Sequence, residues 1–343
     1  MRFIRGLLLV IVASYSTRFA AQVPPQNIEG AESPQLHRWD ATHGVLFLGK
    51  NFLLEKTAPP LRSYNEGGLQ YGSDVNLFKD FPDVENVIVD DFAAGTAGAT
   101  FIAATLIYGH GPAKHVLLTY DGTGGLRQVV DTASYSAEAI TSDDQGDVYV
   151  LGEKTDEREG DPPYPLLIEY DPSGTIVGRA IDSKVFKTGS DAIQDFGPAQ
   201  EMVSASLMVS DGKLYIYAPS ERQVLICSLD GKILRRTALE EFTVKIARAD
   251  KVNRAAISEI AFVDENHVAL YLTEHVDPEE PHTTDYSNMH TAVYLVDLTS
   301  KTFKLILRGE PGLNPAFVGV KGNQVLTLTR TQHGFEIQQH DLF

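Results

Sequence analysis

The sequence predicts an all-β fold, a β-propeller of four-stranded antiparallel blades. Three observations lead there. A strand–turn–strand pattern returns five times at intervals of about 45 to 65 residues. Alternating apolar and polar runs are broken by turn clusters rich in Asp and Gly. An aspartate recurs at the close of the third strand of each unit, as Asp121, Asp171, Asp230, Asp297 and Asp341. One sheet cannot bury both of its faces alone, whereas blades stacked around an axis bury them against each other.

The elements follow in chain order. Residues 1–21 carry the marks of a secretory signal: Arg2 and Arg5, then the apolar run "GLLLVIVA" at 6–13, too short to span a bilayer. A short retained anchor is the alternative. Residues 22–35 read as a linker, and 36–343 as one propeller domain. Two runs near the start read as strands, "GVLFLGKNFLLEK" at 44–56 and "DVNLFKDF" at 74–81. The repeating units then begin at 84, 137, 204, 257 and 315. The last stops at Phe343, where its third strand should end. An N-terminal strand is expected to supply the missing fourth and so to join the ring. If both early runs form a further blade, the ring has six blades. If one serves only for closure, it has five. Segment length favours six.

The "DDQGDVYV" and "IEYDPSGTIV" hairpins share the order Asp, turn Gly, then an aromatic or β-branched strand. In this they resemble the NHL-type propeller repeat of bacterial exported proteins, best over 137–239. The resemblance implies the fold and leaves the chemistry open, because propellers host binders, scaffolds and enzymes alike.

Composition narrows the function. Without residues 1–21 the chain has 26 basic and 46 acidic residues, a formal charge of −20. Such a surface repels phosphate backbones, so nucleic acid is excluded as a partner. A single cysteine, Cys227, excludes an intramolecular disulfide and reads as a small apolar strand residue. The three aspartates of "SDDQGDVYV" (142–150) invite a calcium reading, but Gly146 precedes Asp147, which breaks the calcium-loop order. Turn chemistry explains them better. No nucleophile elbow, His-Glu-x-x-His or phosphate loop is present.

The turns sort the two faces of the ring. Connections between first and second strands, and between third and fourth, are mostly short. The long ones, 153–164, 182–203, 240–256 and 273–290, share the opposite face, where binding is expected. The 240–258 loop carries Lys245, Arg248, Lys251 and Arg254, candidates for an anionic ligand or partners of nearby acidic loops. Matching the first strands on their turns sets Glu85, Glu138 and Glu259 at similar positions to within one residue, with Asn86 beside the first. Carboxylates gathered around one channel require a cation or a proton between them, and oxygen ligands suit calcium. In kind these residues resemble the axial site of calcium-dependent lactonase-type propellers, which implies a possible calcium-dependent hydrolase. The 273–290 loop adds His275, Asp277, His282 and His290, at irregular spacing for a metal site. The reading is therefore an exported monomer that binds a small molecule, glycan or protein on its long-loop face without catalysis, and without a cofactor unless calcium is held. The hydrolase is the alternative.

Overall fold

A computed structural model of the chain describes residues 26–29, 36–49, 53–65, 68–156, 164–183, 205–219, 222–252, 254–275, 289–309, 316–331 and 334–343. The fold is a six-bladed β-propeller. Blade 1 holds β2 (Leu36–Asp40), β3 (Val45–Gly49) and β5 (Arg62–Asn65). Blade 2 holds β6 (Val84–Ala94), β7 (Thr100–Tyr108), β8 (Lys114–Tyr120) and β9 (Leu126–Ala133). Blade 3 holds β10 (Tyr135–Ser142), β11 (Val148–Lys154), β12 (Pro165–Tyr170) and β13 (Ile176–Asp182). Blade 4 holds β14 (Ser206–Ser210), β15 (Lys213–Ala218), β16 (Gln223–Ser228) and β17 (Ile233–Ala238). Blade 5 holds β18 (Arg254–Phe262), β19 (His267–His275), β20 (Met289–Asp297) and β21 (Thr302–Arg308). Blade 6 holds β22 (Ala316–Lys321), β23 (Gln324–Thr331) and β24 (Gly334–Asp341). The inner strands β2, β6, β10, β14, β18 and β22 each touch the next, and β2 touches both β6 and β22.

The two early runs take other places than expected. The 44–56 run is split: β3 stays in blade 1, while β4 (Leu53–Glu55) pairs with the start of β6, Leu53 opposite Ile88. Blade 1 is thereby left with three strands and blade 2 has five. The 74–81 run is not a strand. Asn76 accepts a hydrogen bond from the Lys79 N–H and starts a short helix, α1 (Leu77–Asp80), that buries Leu77. The strand beside β24 is instead β1 (Gln26–Glu29), antiparallel with Gln26 opposite Ile337.

Apolar side chains alternate between the two faces of each sheet and fill the wedges between blades. Phe47 of blade 1 stacks on Phe92 of blade 2 with ring centres 4.8 Å apart. Tyr271 stacks on Phe317 between blades 5 and 6 at 5.4 Å. Outer strands are covered on one face only, so β9 and β17 alternate half-buried with exposed residues. The 240–258 loop forms α2 (Glu240–Asp250), which buries Phe242 and Ile246. Asp250 at its end joins Arg308, Tyr294 and the fully buried Glu274, whose Oε2 accepts from Arg308 Nε at 2.9 Å. That cluster fixes the helix to blade 5.

Three of the five recurring aspartates, Asp121, Asp171 and Asp297, bind the N–H groups of their own turns. Asp121 Oδ1 accepts from the N–H of Thr123 and Gly125, and Asp171 Oδ1 from those of Ser173 and Thr175. In blade 4 the corresponding residue is Ser228, not Asp230: its backbone closes the same turn, with Lys232 and Gly231. Asp143 Oδ1 accepts from the N–H of Gln145 and Asp147, so the first aspartate of the triplet holds the turn backbone. Cys227 is buried, and burial pushes its thiol up to about 11, which leaves it unreactive at neutral pH.

Candidate functional site

The centre of the ring is organised by one segment, Arg38 to His43, at the end of β2. Its side chains reach four other blades. Arg38 Nε lies 3.2 Å from Asp91 Oδ1 in blade 2. Trp39 Nε1 donates to Val320 O of blade 6 at 2.9 Å, and its ring lies directly over Gly319, where a Cβ would sit 2.2 Å from Trp39 Cδ1. Asp40 Oδ2 accepts from the Ala94 N–H of blade 2 at 2.6 Å. Thr42 Oγ1 is 2.9 Å from Thr141 Oγ1 of blade 3 and accepts from the Val209 N–H of blade 4 at 3.3 Å.

Between these contacts lies an axial cavity of about 90 Å³, lined among others by Arg38, Asp91, Glu259, Ile140 and Phe317. Asp91 is buried and its second oxygen accepts from the Ile140 N–H at 2.8 Å. Burial lifts Asp91 to about 6, against the opposing charge of Arg38. Burial likewise lifts Glu259 to about 7, again moderated by Arg38. Glu259 keeps partial contact with the channel, yet blades enclose it on every side. One guanidinium therefore serves two carboxylates across the axis. It is the cation that carboxylates so placed require.

Inner-strand bulges decide which carboxylates are equivalent. The extra residue is Glu138 in β10, Ser258 in β18, and both Glu85 and Asp90 in β6. Counted back from the turn, Asp90 is the counterpart of Glu138, and Asp91 is the counterpart of Glu259. Glu85 belongs to a second bulge further out, and its carboxylate lies over Gly109 at the end of blade 2. Glu138 keeps solvent exposure, and partial desolvation followed by the charge of Glu153 raises its pKa. Asn86 is half-buried and pairs with Ile107. Glu85, Glu138 and Glu259 thus occupy three different settings. Asp90 has its own network: Thr105 Oγ1 donates to it at 3.1 Å and contacts His115 Nδ1 at 2.9 Å. Burial lifts Asp90 to about 7, with Thr105 opposing and Asp91 adding to the rise. Among the described residues, no group of three or more His, Cys, Asp or Glu side chains converges as a metal site.

The other candidates are dispersed. Lys245 pairs with Glu241 at 2.7 Å, one helical turn earlier. Arg248 and Lys251 are exposed, and Arg254 begins β18. His275 ends β19 and His290 lies on β20, its Nδ1 3.4 Å from Gly309 O. Asp277 and His282 lie outside the described residues.

Arg38, Trp39, Asp40 and His43 were not signalled by the repeat, because blade 1 departs from it, and Asp91 was hidden by the bulge at Asp90 that shifts the register of β6. The available signal was the chain's one tryptophan within "RWDATH".

No protein-family model matches the sequence, and no curated protein matches it. Solved structures similar in shape include a member of the DUF4221 family from Bacteroides vulgatus, at 10% identity and TM-score 0.50, covering 93% of this chain and 96% of that one. A luciferin-regenerating enzyme is similar at 11% identity and TM-score 0.44, covering 93% and 97%. A Bacteroides caccae protein of unknown function is similar at 11% identity and TM-score 0.38, covering 76% of each chain. At such identities the likeness is one of fold: the chain is a six-bladed propeller, with nothing in these similarities that singles out the NHL-type repeat.

Proposed function

We propose that the chain is an exported, non-catalytic binding propeller that takes a small molecule, glycan or protein on its long-loop face. The observation that carries this reading is Arg38, set 3.2 Å from Asp91 and acting on Glu259. A channel whose carboxylates already share an internal cation has no need of calcium, and its bulky lining leaves room for little more than water. That supports an axis built for cohesion and a ligand carried by the loops. The basic and apolar start of the sequence supports export.

The second reading is a calcium-dependent hydrolase of the lactonase kind, with Glu85, Asn86, Glu138 and Glu259 as metal ligands. The observation in its favour is that burial raises Asp90 and Glu259 to about 7 and Asp91 to about 6, shifts of a kind common among catalytic carboxylates. Metal analysis of the purified protein, with a thermal-shift titration of calcium, separates the two. We expect no stoichiometric metal and no stabilisation by calcium. Bound calcium that disappears in Glu138→Gln, together with lactone hydrolysis, would replace the binding reading by the hydrolase.

A further inference from the structure

The mouth of the axis on the short-turn face holds a second cavity, of about 310 Å³, at the lower end of the size range of small-molecule sites. It is formed between the first turns of blades 1, 4, 5 and 6. His43 and Ser210 line it, with Lys321 at one side and Met208, Phe262 and Val320 as an apolar wall. His43 is held rigidly. Asp40 accepts from the N–H groups of Ala94, Thr42 and His43, and its Oδ2 is 3.1 Å from His43 Nδ1. A carboxylate that accepts from all sides fixes the tautomer: Nδ1 carries the proton and Nε2 the lone pair. That Nε2 is buried and has no hydrogen-bond partner. A buried acceptor without a donor is uncommon and calls for one.

We propose that this cavity binds a small neutral polyhydroxylated molecule of monosaccharide size, one of whose hydroxyls donates to His43 Nε2. The surrounding charges decide against a charged ligand. Asp40 of blade 1 and Asp143 and Asp144 on the β10–β11 turn of blade 3 act on His43 from one side, while Lys321 of blade 6 lines the cavity. An anion meets the aspartates and a cation meets the lysine. A hydroxyl donates to Nε2 and accepts from Ser210 or Lys321 without meeting a like charge. The apolar wall suits the C–H face of a sugar ring. Burial works to lower the His43 pKa, but the hydrogen bond and charge of Asp40, then the charges of Asp144 and Asp143, carry it above 6.5. A hydroxyl donates to Nε2 while His43 is neutral, and the bond reverses direction once His43 is protonated.

The test is a calorimetric titration of the full chain with a panel of neutral monosaccharides, their uronic acids and their amino sugars. At least one neutral sugar is expected to bind at about pH 8. Binding is expected to vanish in His43→Phe, which removes the acceptor, and in Ser210→Phe, which fills the cavity. Ser210 lies in the β14–β15 hairpin, outside the hydrogen-bond set of Asp40, so it keeps the test open if His43→Phe does not fold. The proposal is overturned if no neutral sugar binds, if a charged analogue binds more tightly than its neutral parent, or if binding survives Ser210→Phe.

Discussion

Blades 1 and 3 hold their places in the ring by different means. Blade 3 has four strands and apolar clusters on both faces, against blade 2 through Ile140, Val148 and Tyr170 and against blade 4 through Tyr149, Leu151 and Leu167. Blade 1 has three strands and a smaller apolar contribution. It compensates with directed contacts: Arg38 and Asp40 bind blade 2, Trp39 binds blade 6, and Thr42 binds blades 3 and 4. The repeat-poor blade is thus the one that ties the others together. Apolar wedges tolerate change in shape, whereas buried polar links fail when one partner is lost.

The contrast can be broken by substitution. Asp40→Ala has the largest expected effect. It strips the acceptor from three backbone N–H groups and from His43, and should cost about 3–5 kcal/mol by denaturant unfolding. Gly319→Ala forces a methyl group into the Trp39 ring, and should cost about 1–3 kcal/mol. Glu259→Gln should instead stabilise, and only at higher pH. The native state holds the Glu259 proton up to about 7, whereas the unfolded chain releases it near 4.5. Stability from this group is therefore greatest below 4.5 and is lost as pH rises to about 7. The neutral amide escapes that loss, and after allowance for channel exposure the gain at pH 8 is on the order of 1 kcal/mol. Lys245→Ala removes an exposed helical pair and should change stability by less than about 0.5 kcal/mol.

Sequence alone exposes the repeated part of this molecule well. The hairpins around Asp121, Asp143 and Asp171 carry turn chemistry in their residues, and the strands between them alternate. It exposes the centre poorly, for two physical reasons. Bulges shift the inner-strand register by one residue, so Glu85 aligns with Glu138 by counting while Asp90 takes the equivalent place in space. The cation beside Asp91 and Glu259 comes from β2, in the blade that least resembles the others. A long-range ion pair of that kind leaves no local pattern. The helix at Leu77–Asp80 was concealed by an apolar run too short to show its period, and Asn76 was the one local sign of it.

Arg38 is the resident cation of the channel, and Arg38→Met tests that role directly. Loss of the guanidinium removes the charge that lowers both carboxylates, so each must either stay protonated or stand unpaired. The unfolding free energy of Arg38→Met and of the unsubstituted chain should differ by about 3 kcal/mol at pH 8 and by about 1 kcal/mol or less at pH 5, where Asp91 and Glu259 are already neutral. An equal difference at both pH values would mean that Arg38 only fills space.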